Sequence, residues 1–228
     1  MLILGVDDAG RGPLIGPMIL AGVLIDKNQE AKLKRMNIRD SKIVSHPERI
    51  KLSKAIKENS YAHFVAKAYP KEIDEAVESH SLNVLEAVKA AQIINAINLK
   101  KYQRETIKVI LDCPSINITK WQEILMKYIQ HKENLQVVCE HKADANHVSV
   151  GAASILAKVT REEEVTEIKK KYGDIGSGYP ADPATKEFIK SHGKELKDSG
   201  IFRKSWATWK TMFPSEEKVK KQKSLLEY

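Results

Sequence analysis

Two apolar runs, Leu2–Val6 and Met18–Ile25, flank a turn holding Gly10, Gly12, Pro13, Gly16 and Pro17. Runs of that length between turn formers predict two buried strands paired antiparallel. Pro47–Glu58 reads as a helix with Ile50, Ala55 and Ile56 on one side, and Tyr61–Ala68 as a strand. In Asn83–Leu99, Val84, Val88, Ala91 and Ile94 recur at helical spacing. Ile107–Leu111 predicts a buried strand ending at Asp112, Thr119–His131 a helix, and Leu135–Cys139 a further strand. The long segment Val148–Lys171 predicts a helix whose first half is small and apolar, so that it can approach its neighbour closely. A loop over 173–183, a helix over Pro183–Leu196 and a tryptophan-bearing segment (Trp206, Trp209) precede a polar tail, Pro214–Tyr228. Strands alternating with helices after an opening hairpin predict an α/β sheet with helical cover.

The 228 residues suffice for one substantial domain with a small appendage. Lys and Arg number 38 against 30 Asp and Glu, a net charge of +8. That surplus fits a polyanionic partner, although a well-solvated surface explains it equally. The two cysteines, Cys113 and Cys139, lie in apolar runs and form no disulfide framework, as expected of a reducing compartment. No stretch approaches the roughly 20 apolar residues of a membrane span, and Met1–Leu4 has no basic segment before it. A soluble, cytoplasmic, monomeric protein is the expectation.

Chemistry enters with four aspartates. Asp7 and Asp112 each follow a strand-like run, Asp8 adjoins Asp7, and Asp144 precedes the long helix. Carboxylates at strand ends converge on one sheet edge, and hard oxygen donors of that kind suit Mg²⁺ or Mn²⁺. Such a cluster can hold two ions for phosphodiester cleavage. Taken singly, an aspartate at a strand end is more often a helix cap or turn residue; adjacent Asp7 and Asp8 are harder to dismiss, because two neighbouring carboxylates repel unless a cation or arginine lies between them. Lys158 and Arg161 lie near Glu162–Glu164, where pairing along the helix explains them. Cys113 reads as a small buried hydrophobe.

The segments themselves form a recognisable series. Asp7-Asp8-Ala9-Gly10-Arg11-Gly12-Pro13 resembles the D-E-A-G-R-G-P signature of the ribonuclease HII family. Arg39-Asp40-Ser41-Lys42 is similar to its D-S-K element, and Ile110-Leu111-Asp112 to the strand bearing its third acid. His141-Lys142-Ala143-Asp144 with Ala152–Lys158 resembles its H-K-A-D…A-A-S-I-x-A-K block. Gly176–Pro183 resembles G-S-G-Y-P-S-D-P, and Arg203-Lys204-Ser205-Trp206 its R-x-S-W, so the likeness runs from position 7 to 206.

The resemblance, which is to the archaeal type, implies an RNase H-like mixed β-sheet flanked by helices, with C-terminal helical elements. It implies division into a catalytic domain over 1–172, helical substrate-binding elements over 173–213 and a tail over 214–228. The implied activity is hydrolysis of the RNA strand of RNA/DNA hybrids and incision 5′ of ribonucleotides embedded in duplex DNA, leaving 3′-hydroxyl and 5′-phosphate ends. Asp7, Asp8, Asp112 and Asp144 would hold two divalent ions, Mg²⁺ or Mn²⁺. Gly10, Arg11 and Gly12 would read the ribose 2′-hydroxyl, the group that tells RNA from DNA, and Tyr179 the next sugar. Lys42, Lys142 and Arg203 would contact the substrate's phosphates. Asp8 departs from the family's glutamate, retracting its carboxylate by one methylene. In the tail, Gln222, Leu225 and Tyr228 have the spacing of a sliding-clamp-binding box. A junction resolvase on the same fold would share the acids but not the glycine turn with Tyr179, and only Asp8 favours a hybrid-binding module without catalysis.

Overall fold

The computed structural model describes residues 1–36, 38, 44–79, 81–99 and 101–214. Lys42 and the proposed clamp box at Gln222, Leu225 and Tyr228 lie outside the described residues. Among those described, five strands form one sheet in the order β3-β2-β1-β4-β5: β1 (Leu2–Ala9), β2 (Met18–Ile25), β3 (Ala62–Ala68), β4 (Ile107–Asp112) and β5 (Leu135–Glu140). The β1–β2 and β2–β3 pairs are antiparallel, and β1–β4 and β4–β5 are parallel. The sheet is therefore mixed, with β1 at its centre.

Around it lie α1 (Lys27–Arg35), α2 (His46–Glu58), α3 (Pro70–Ser79), α4 (Leu82–Ile97), α5 (Ile118–Tyr128), α6 (Ala143–Asn146), α7 (Val148–Tyr172), α8 (Pro183–His192) and α9 (Ala207–Met212). Strand alternation sorts the side chains onto two cores. Leu4, Val6, Leu20, Val109 and Leu111 face α4 and α5, where Ile93, Ile94, Trp121 and Leu125 meet them. Ile3, Ile19, Val23 and Ile110 face α7 through Val150, Ile155 and Val159, with Leu33 of α1 and Ile56 of α2 behind. With both faces covered, β2 is buried at every position, and its unbroken apolar run is the consequence.

The small-residue half of α7 approaches β1 closely at Gly5. A Cβ there would stand 2.2 Å from the Ser149 carbonyl carbon and 2.3 Å from the Val150 nitrogen. A third cluster joins Leu14 and Ile15, from the β1–β2 turn, to Ile175, Phe188, Ile189, Phe202 and Trp209. The C-terminal elements thus pack directly onto the glycine turn, sealed by a backbone bridge between Ile15 and Phe202.

The expected strands and long helices are present. β1 nevertheless runs on to Ala9, so that Asp7 and Asp8 pair with Ala21 and Leu20 and are part of the strand they were expected to follow. The helix expected to reach Leu196 ends at His192, and the one expected to reach His131 ends at Tyr128. Helices α1 and α3 are not among the expected elements; each buries little beyond Leu33 in one and Pro70 and Ile73 in the other.

Candidate active site

The register of the parallel pair β1–β4 places Val6 beside Leu111, and the next residues, Asp7 and Asp112, follow in step. Alternation puts both on the α7 side of the sheet, with Ile3 and Ile110. Asp112 Oδ1 accepts a 2.8 Å hydrogen bond from the Ala143 N–H, which ties the first residue of α6 to the end of β4. Burial raises the Asp112 carboxyl, and the charge of Asp144, next in that helix, raises it further. Lys142 immediately before it adopts a left-handed backbone (φ 58°) and has an exposed side chain.

Electrostatics link all four acids. Burial pushes the Asp7 carboxyl well above the usual carboxylate range, and the charges of Asp8 and Asp112 push it further. Burial raises Asp8 to about 6, opposed by Arg11, raised again by Asp112 and opposed by Lys158. Like charges held together in a poorly solvated place are costly, and a bound cation removes that cost. Among the described residues, no three acidic, histidine or cysteine side chains are already gathered as a coordination group. The donor set is all carboxylate oxygen, which matches a hard divalent ion and not zinc.

A fifth carboxylate, which the sequence reading missed, lies on the other side of Asp8. Glu86 of α4 is buried, and burial followed by the charge of Asp8 pushes its carboxyl up to about 8 despite the pull of Arg11. One of its oxygens pairs with Arg11, whose guanidinium also donates to Asn83 Oδ1 at 2.7 Å. The other oxygen, Oε1, is buried without a hydrogen-bond partner. A glutamate between Leu85 and Ala87 in a mostly apolar helical stretch was the signal in the sequence.

Beside the acids runs a groove of about 670 Å³, bordered by Asp8, Gly10, Gly12, Lys158, Arg161 and Tyr179. Gly10 has φ +87°, and a Cβ there would stand 2.4 Å from the Arg161 side chain, so the position requires glycine. A Cβ on Gly12 would meet the Tyr179 ring at 3.8 Å, which places that ring against the turn. Tyr179 is exposed, and the Arg161 guanidinium sits 5.6 Å from its ring centroid.

Two arginines depart from expectation. Arg161 is buried and does not serve ion pairing along the helix surface; it donates to the Pro17 and Ser177 carbonyls at 3.3 and 3.4 Å. Arg203, expected to meet substrate phosphate, is fully buried at 0% exposure. Its guanidinium donates to the carbonyls of Gly10, Arg11 and Gly16, so it has no face left for a phosphate. His141 bonds the Cys113 carbonyl at 3.0 Å, and Cys113 is buried with its thiol pushed up by burial, as structural residues behave.

The Ribonuclease HII family model matches residues 4–209. A "Ribonuclease HII" of Methanococcus maripaludis strain C6 is 40% identical over 220 residues, spanning 96% of this chain and 90% of that protein. The crystal structure of the ribonuclease H2 from Pyrococcus horikoshii OT3 superposes with a TM-score of 0.84 at 36% identity, covering 97% of this chain and all of that one. The RNase HII of a PCNA:RNase HII complex from Archaeoglobus fulgidus superposes at 0.79 and 32% identity, covering 90% and 95%.

Proposed function

This chain belongs to the ribonuclease HII family, endoribonucleases that hydrolyse RNA in RNA/DNA hybrids, and on that premise we propose that it also incises 5′ of ribonucleotides embedded in duplex DNA. Asp7, Asp8, Asp112 and Asp144 hold two divalent ions, Mg²⁺ or Mn²⁺. The observation carrying this is the mutual field of these carboxylates at one sheet edge beside the glycine turn. What bound ions supply there is activation of water and stabilisation of the leaving 3′-oxygen, which leaves 3′-hydroxyl and 5′-phosphate ends.

The chain's own residues supply the rest. Asp112 is tied to the start of α6 by the Ala143 N–H, and its charge acts on Asp7. The Gly10-Arg11-Gly12 backbone reads the 2′-hydroxyl, and Tyr179, standing against Gly12, bounds the space for the neighbouring sugar. Lys142 and Lys42 take backbone phosphates, and Lys158 brings positive charge to the groove beside Asp8. The elements after position 172 form the substrate-binding wall, because they supply Tyr179 and pack on the turn. The Archaeoglobus fulgidus relative was solved as a complex with PCNA, and the Gln222, Leu225 and Tyr228 spacing supports the same kind of partner here. The enzyme acts as a monomer in the cytoplasm; among the described residues no helix is long and apolar enough to cross a membrane.

The test is a duplex carrying one ribonucleotide, incubated with the protein and Mg²⁺, Mn²⁺ or EDTA. A single 5′ incision with either metal and none in EDTA is expected, and Asp112→Asn should abolish it while leaving the fold intact. Metal-independent cleavage, or full activity in that variant, would overturn the assignment.

A further inference from the structure

Arg203 is a buried cation whose donors go to main-chain carbonyls and not to a carboxylate. Its Nη2 donates to the Gly10 carbonyl at 2.7 Å and to Gly16 at 2.9 Å, Nη1 to Arg11 at 2.8 Å, and Nε to Gly16 at 3.0 Å. Trp206, 5.1 Å from that guanidinium by ring centroid, donates its indole N–H to the Gly12 carbonyl at 3.1 Å. The pair therefore captures the carbonyls of Gly10, Arg11 and Gly12 in succession. Their own segment is fixed in turn: Asp74 of α3 accepts from the Lys204 and Ser205 N–H groups at 2.8 and 2.9 Å, and from the Ser205 hydroxyl at 2.6 Å.

A trans peptide holds its C=O and N–H antiparallel in one plane. A carbonyl drawn inward by Arg203 therefore turns the N–H of the following residue outward. Capture of the Gly10 and Arg11 carbonyls aims the Arg11 and Gly12 N–H groups away from Arg203, and Gly10, Arg11 and Gly12 all border the groove. Pro13 follows Gly12 and has no N–H, so the Trp206 bond closes the last carbonyl without creating another donor.

We infer that Arg203, assisted by Trp206, is a positioning residue that orients the glycine turn's peptide groups and thereby sets selectivity for a 2′-hydroxyl. The inference rests on the reading of that turn as the ribose-recognition element. It also explains why arginine stands here. Only a planar fork with several N–H groups at fixed angles spans three carbonyls, whereas a lysine ammonium donates from one point.

Affinity is measured in EDTA by fluorescence anisotropy, for a duplex with one ribonucleotide and for the same duplex in all-DNA form. Two outward N–H donors should give the parent protein a preference for the ribonucleotide on the order of tenfold. Arg203→Lys should reduce that preference to within about twofold while all-DNA affinity changes by less than about threefold, since phosphate contacts set that affinity. A role in stability alone would weaken both duplexes equally and keep the ratio, which would overturn the inference. If the lysine variant does not fold, Trp206→Phe decides: a ratio reduced about threefold supports positioning, and an unchanged ratio overturns it. A parent protein with no preference between the duplexes would refute the ribose-recognition reading itself, a result distinct from an unchanged ratio in the variants.

Discussion

Replacing Gly5 by alanine tests whether the site depends on the close approach of β1 and α7. The added Cβ would stand 2.2 to 2.4 Å from the backbone of Ser149 and Val150. Ordinary carbon contacts begin near 3.5 Å, so a separation of about 1 Å or more must open between strand and helix. No rotamer relieves it, because the clashing atoms are main chain. Overpacking of this kind costs about 1–3 kcal/mol, toward the upper end where backbone must move. For a chain of this size that is a fall in melting temperature of roughly 2–12 °C. The activity loss should be larger than the stability loss suggests. Helix α7 carries Lys158, whose charge opposes the rise that burial imposes on the Asp8 carboxyl. Shifts of about 1 Å in catalytic groups cost on the order of a hundredfold in rate. Thermal melting and single-turnover cleavage of a hybrid, both at a temperature where the variant is folded, measure the two effects. A melting point within 2 °C of the parent with an unchanged rate would show that β1 and α7 can separate freely, and the argument would fail.

Three further outcomes are expected. The Asp8 carboxyl rises from 3.8 to about 6 on folding, so this group favours folding most at low pH and loses that contribution as pH climbs from about 4 to 6. Asp8→Asn should therefore be more stable than the parent by about 1–2 kcal/mol at pH 7 in EDTA, after allowance for its partial exposure, with the gap closing by pH 4; parallel melting curves would contradict this. Above pH 8, where Glu86 is ionised, it adds negative charge beside Asp8, so Glu86→Gln should weaken divalent-ion binding there by about three- to tenfold in calorimetry, with stability changed by about 1 kcal/mol; tighter binding would refute that role. Deleting Gln222–Tyr228 should abolish clamp binding and leave hydrolysis of short duplexes unchanged, and a deletion that binds the clamp as before would remove the box from consideration.

Much of this was legible because the relevant signals are local. The apolar runs of β1, β2 and β4 and the helical spacing of α4 announce themselves within a few residues, and both faces of the sheet being covered keeps those runs unbroken. The acids at Asp7 and Asp112 follow from the same runs, since a carboxylate next to a buried strand needs a reason. What escaped depends on distant parts of the chain. Arg203 and Arg161 look like surface cations in sequence, and only the tertiary fold shows them buried against carbonyls. Glu86 was hidden because its partner, Arg11, lies 75 positions away. Helices α1 and α3 escaped because their contacts are few and their faces mostly wet.

The Gly10 carbonyl and the guanidinium that captures it are 193 positions apart. During synthesis, which proceeds from the N-terminus, the acids of β1 emerge first and Arg203 close to the end. A nascent or truncated chain can thus assemble carboxylates long before it owns the group that orders the adjoining turn. Closing so long a loop adds entropic cost only logarithmically with length, so the late arrival is a delay and not an obstacle. The turn proposed to read the sugar is thus ordered only after the strands that carry the carboxylates have been made.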